Sequence, residues 1–117
     1  MTEEFDIPIF KKGYDLYKMF YTFRTLIPKQ DKYTIWQKSE NLILEILEGI
    51  LSASYKQKFE KTPVLEKTSL KLNVLRVLVR LMKDTKSIDN KKYCLLEEVV
   101  DEIGRMLGGW LKSTVSR

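Results

Sequence analysis

The sequence predicts an all-α fold, an antiparallel up-down-up-down four-helix bundle, and three observations carry that prediction. Apolar residues recur near every 3.6 positions along most of the 117 residues, the period of a helix with one buried face, and no stretch alternates as a half-buried strand would. Prolines at 8, 28 and 63 divide the chain. The links between the periodic stretches are so short that consecutive helices must run antiparallel.

The expected helices span about 8–26, 32–60, 63–86 and 89–114, in one domain covering residues 1–117. Asp6-Ile7-Pro8 reads as a capped start, and Ile27-Pro28-Lys29-Gln30-Asp31 as a stop followed by a new cap. Thr62-Pro63 repeats the pattern, with a capping hydroxyl before a proline in the first turn. Ser87-Ile88-Asp89-Asn90 supplies the last break without a proline. The first helix is rich in aromatic residues, among them Tyr14, Tyr17, Phe20 and Tyr21. The second and fourth carry ordinary apolar stripes, from Trp36 to Leu51 and from Tyr93 to Leu111.

The third helix is different. Its apolar positions, Val74, Val77, Leu78 and Leu81 among them, cover more than half the circumference at roughly 100° per residue. The surplus is best explained by self-association through those four residues; a central, well-covered helix is the alternative. The remaining strip holds Ser69, Asn73, Arg76, Arg80 and Lys83. Arg76 and Arg80 stand one turn apart and can reach one phosphate backbone. A solvated face is the plain reading of the same strip, and pairing between subunits with Glu45, Glu48 or the acids at 97–102 is a third.

Composition narrows the chemistry. There is no histidine and a single cysteine, so zinc sites and Ser–His or Cys–His catalysis are ruled out and only carboxylate chemistry stays open. The acidic cluster Glu97, Glu98, Asp101 and Glu102 reads as solvated or salt-bridged helix pairs rather than a magnesium site. No catalytic residue, metal, cofactor or small-molecule substrate is expected. Cys94 is expected to be a small core residue, and a lone thiol fits a reducing cytoplasm. The acidic N-terminus is expected not to be a signal peptide, and no apolar run approaches the roughly 20 residues of a membrane crossing. Net charge is +5, and residues 56–92 hold eleven basic side chains against four acids, so the excess is local and suits a nucleic-acid partner. The lysines at the 2–3 and 3–4 turns are expected at opposite ends of the bundle.

Glycines 104, 108 and 109 lie inside the fourth helix, where each costs roughly 1 kcal/mol against alanine, so close approach of another helix or ring is expected there. The string Gly104-Arg105-Met106-Leu107-Gly108-Gly109-Trp110, with Leu75-Arg76-Val77-Leu78-Val79-Arg80-Leu81, Ile7-Pro8-Ile9-Phe10 and Ile27-Pro28-Lys29, resembles the accessory variability determinant (Avd) family of diversity-generating retroelements. The resemblance runs from about residue 8 to 113. It implies a pentameric barrel of four-helix bundles with a basic surface, without catalytic activity, that binds the element's reverse transcriptase and template RNA or DNA. On that expectation Arg76, Arg80, Lys83 and Arg24 contact nucleic acid or polymerase, and Gly104, Arg105, Gly108, Gly109 and Trp110 form the signature. A related four-helix family, encoded by intervening sequences in ribosomal RNA genes, would make the chain a protein–protein scaffold instead. It normally carries Asn-Ile-Ala-Glu-Gly late in its second helix, where this chain has Leu47-Glu48-Gly49-Ile50.

Overall fold

A computed structural model describes residues 6–115. Residues 1–5, most of the acidic segment expected not to be a signal peptide, lie outside the described residues. The described chain is all-α, without strands. Four long helices, α1 (Pro8–Thr22), α3 (Ile35–Ser54), α4 (Lys58–Asp84) and α5 (Asn90–Val115), are joined by a 3₁₀ turn (Arg24–Leu26), the one-turn helix α2 (Lys29–Lys32) and short links. Contacts between helices follow a square: α1 packs on α3 and α5, and α4 packs on the same two. No described helix is long and apolar enough to cross a membrane.

The core is the sum of one stripe from each long helix. Leu16 and Phe20 come from α1, Ile43, Ile46 and Ile50 from α3, Leu65, Leu72 and Leu75 from α4, and Leu96 and Ile103 from α5, each at most 1% exposed. At the end near the first connection, Trp36 stacks on Phe20 with ring centroids 3.7 Å apart and planes at 5°. Cross-helix polar contacts confirm the antiparallel order. Tyr17 donates to Glu40 at 3.1 Å, Lys71 to Glu45 at 2.9 Å, and Thr62 at the start of α4 to Thr114 at the end of α5 at 2.7 Å. The bond from Lys71 holds the Glu45 carboxyl below its usual range.

Several helix starts differ from the sequence reading. Ile7, not Asp6, is the N-cap of α1, with no side-chain cap; proline at the first helical turn already removes an orphan donor. Asp31 does not cap the next long helix but accepts a hydrogen bond from Ser87, 56 residues away, at 2.6 Å. The largest difference is at Pro63. α4 begins five residues earlier, because Gln57 and Glu60 form a reciprocal capping box. Pro63 therefore sits inside the helix, one turn in, where the missing N–H forfeits a bond to the Phe59 carbonyl. Thr62, freed from capping, reaches α5 instead.

α4 ends in a Schellman motif. The Ser87 N–H bonds to the Met82 carbonyl at 2.8 Å and the Lys86 N–H to the Lys83 carbonyl at 3.0 Å. Lys86 takes the left-handed position, with φ 66°, where a lysine is about 1–2 kcal/mol less favourable than glycine. Cys94 is exposed rather than in the core, because its position on α5 lies across the helix from Leu96, Val100, Ile103 and Leu107.

Two glycines have opposite meanings. A methyl group at Gly49 of α3 would lie 3.2 Å from Cβ of the buried Thr68 on α4 and nearer still to its hydroxyl. Overpacking of roughly 1–3 kcal/mol there outweighs the ~1 kcal/mol that alanine gains in helix propensity. A methyl at Gly104 of α5 would meet the guanidinium end of Arg76, which can swing away. Gly49→Ala is thus expected to lower the melting temperature, and Gly104→Ala to hold or raise it. Thermal melts of the two variants followed by circular dichroism check the signs.

Candidate nucleic-acid interface

The wide apolar surface of α4 resolves into two stripes. Leu65, Leu72, Leu75, Val79 and Met82 face the core. Leu70, Val74, Val77 and Leu81 are 63%, 38%, 64% and 45% exposed; at roughly 100° per residue they fall within about 60° of arc on the opposite side of the helix. Leu78, expected with them, is half-buried against the core, and Leu70 takes its place on the ridge. A helix apolar on two opposite sides has one side too many for a lone bundle.

The strip between the two stripes carries the arginines, and it faces α5. Arg76 pairs with Asp101 of α5, with Gly104 beneath its guanidinium. Arg80 pairs with Asp84 one turn on at 3.2 Å, a bond that raises its already high pKa. Lys83 lies over the Tyr93 ring, 4.5 Å from the centroid. Tyr93 in turn donates to Glu97, which pushes its phenol up. The strip is therefore largely matched with acids and a ring of its own subunit. With the Arg76 and Asp101 side chains 36% and 43% exposed, their pair contributes at most about 1 kcal/mol. Arg24 lies elsewhere, exposed in the 3₁₀ turn after α1.

The acids at 97–102 have ordinary partners: Tyr93 for Glu97, Arg76 for Asp101 and Lys12 of α1 for Glu102, at 3.2 Å. Among the described residues no group of three or more potential ligands converges on a metal position. Among the described residues, only Gly104 of the signature glycines has a close neighbour; Gly108 and Gly109 have nothing within 4 Å of an added methyl. Arg105 is exposed. Trp110 packs half-buried against the core with the Lys61 ammonium 5.7 Å from its centroid. Lys61 also donates to the Ala53 carbonyl at 2.6 Å, closing the end of α3.

Sequence reasoning selected the strip and noted the lysines of the third connection, Lys86, Lys91 and Lys92, but did not join them to the basic residues of the first. Lys29, Lys32, Lys86 and Lys91 join Arg24 at one end of the bundle. The signal was there: in an up-down-up-down bundle the first and third connections share an end.

An all-α bundle with a basic balance and a helix that is apolar on two sides defines the class, a four-helix-bundle protein. The particular family is shown by the sequence: the chain belongs to the bAvd-like family, whose profile matches residues 8–114. No match was found among curated proteins.

Proposed function

We propose that this chain is a non-catalytic, cytoplasmic accessory protein of a diversity-generating retroelement, which assembles into a homo-oligomer, a pentamer, and binds reverse transcriptase and template RNA during mutagenic copying. Membership of the bAvd-like family over residues 8–114 is the observation that carries this reading. The second apolar stripe of α4 supports assembly. A groove of about 550 Å³ between α1 and α3, lined by Tyr14, Tyr17, Tyr21, Leu44 and Leu47, supplies a second apolar surface on another face. A head-to-tail ring requires two different surfaces on one chain, each fitting the other on the next copy, and the α4 ridge and this groove are two such apolar surfaces. Five copies would carry a formal charge of about +25, and the released counterions of RNA would drive binding.

Fluorescence anisotropy of a labelled structured RNA, titrated with the protein at low and near-physiological salt, tests the nucleic-acid role. Submicromolar binding that weakens steeply with salt is expected, since each phosphate neutralised adds roughly 0.7–0.9 to the log–log slope. Absence of binding at low salt would shift the role to a scaffold that docks the polymerase alone, the reading that the ribosomal intervening-sequence likeness favours.

A further inference from the structure

The end of the bundle that carries the first and third connections is a candidate surface that neither the family match nor the α4 strip identifies. Its two segments are physically joined. The Ser87 hydroxyl donates to Asp31 at 2.6 Å, the Lys92 ammonium lies 5.8 Å from the Phe23 ring centroid, and Ile27 and Ile88 are both buried in the one core. This junction gathers Arg24, Lys29 and Lys32 from the first connection with Lys86 and Lys91 from the third. Among the described residues none of the five forms a salt bridge; Lys91 acts on the Asp89 carboxyl only at longer range.

The acids at this end are already engaged. Asp31 accepts from Ser87, Asp84 from Arg80 and Asp89 from Lys92 and its backbone N–H. Hydrogen bonds from Lys92 hold the Asp89 carboxyl low, so it stays ionised and paired. The Ser87 hydroxyl does not neutralise Asp31, but five cations still outnumber it, and this basic excess can attract an anionic partner. That contrasts with the α4 strip, where Arg76, Arg80 and Lys83 have partners within the subunit.

Lys86 adds an independent argument. It is the one non-glycine residue with positive φ among the described residues, at a position where glycine is the low-strain choice. The chain places an exposed lysine there instead, and backbone strain of this kind collects at functional sites. Tyr33 stands beside the same lysines, 68% exposed, as a flat ring on which an unpaired base can stack.

We propose that this end of the bundle is the RNA-binding surface: the backbone phosphates lie on Arg24, Lys29, Lys32, Lys86 and Lys91, and an unpaired base stacks on Tyr33. The proposal rests on the nucleic-acid role stated above and names its site. Two triple variants of the full chain, equal in charge, test it. Lys29→Gln, Lys86→Gln and Lys91→Gln neutralise the end; Lys56→Gln, Lys58→Gln and Lys67→Gln neutralise exposed lysines elsewhere. Both are titrated against the same labelled structured RNA as the wild type, after circular dichroism has shown equal helicity. The end variant is expected to lose at least tenfold in affinity and about 2 in the salt slope; the control is expected to lose less than threefold. Lys86→Gly provides a second measurement that misfolding cannot imitate. It is expected to melt a few degrees higher while binding RNA more weakly.

Equal losses in the two triples, or no loss in the end variant while the wild type binds, would overturn the proposed site and leave the RNA role standing. Failure of the wild type itself to bind at low salt would remove both.

Discussion

Replacing Trp36 with alanine is expected to destabilise the bundle by about 3–5 kcal/mol, which is most of the stability of a typical small domain. The residue is 1% exposed and stacks on Phe20, itself fully buried. It seals the end of the core where α1 gives way to the connection, and neither α2 nor the 3₁₀ turn has a buried residue of its own to fill the gap. The indole Nε1 is buried with no acceptor among the described residues, an arrangement that costs roughly 1–3 kcal/mol. Trp36→Phe keeps a stacked ring and removes that orphan donor. It is therefore expected to cost less than the alanine variant, because the smaller ring leaves a smaller cavity. Chemical denaturation of the two variants decides the matter. Equal losses would mean that the indole N–H is satisfied and that it, not the ring, supplies most of the stabilisation.

The second large effect is on assembly. If the chain forms the proposed pentamer, about 70 kDa for five chains of 13.9 kDa, Val77→Glu with Leu81→Glu is expected to convert it into a monomer with undiminished helicity. Both positions are exposed in the subunit, 64% and 45%, and glutamate is a good helix former, so the bundle itself has little to lose. In an interface the same change gives up roughly 1.5–3 kcal/mol of burial per side chain. It also strands two carboxylates away from water, each at several kcal/mol. Size-exclusion chromatography with light scattering reads the mass directly. An unchanged mass would take the ridge out of the assembly and turn attention to the tyrosine-lined groove between α1 and α3.

These expectations differ in how far the sequence could have supplied them. The ridge was legible: eleven apolar positions on one helix exceed a single buried face, whatever packs around it. Its membership was not fully legible, because Leu78 and Leu70 are both leucines on the same helix and only the angle at which α3 crosses α4 decides which is covered. Trp36 was visible as an apolar position, but nothing local announced that it would stack on Phe20. The arginine strip shows the limit most clearly. Arg76 and Arg80 one turn apart read equally well as a phosphate clamp and as a salt-bridge donor pair. The choice depends on the rotation of α5, which brings Asp101 to Arg76 and sets Gly104 beneath it.

What the sequence by itself determined is therefore the fold class, the number and order of the long helices, the excess apolar face of α4 and the family, because period, composition and motif are properties of the chain. It did not determine the helix starts. Capping is a competition between neighbouring candidates, and Gln57 with Glu60 prevailed over Thr62 before Pro63. Only the tertiary structure decided which charges are matched and which are free. Pairing is a matter of a few ångströms between residues far apart in sequence, and it leaves the α4 strip largely neutralised while gathering two distant basic segments at one end of the bundle.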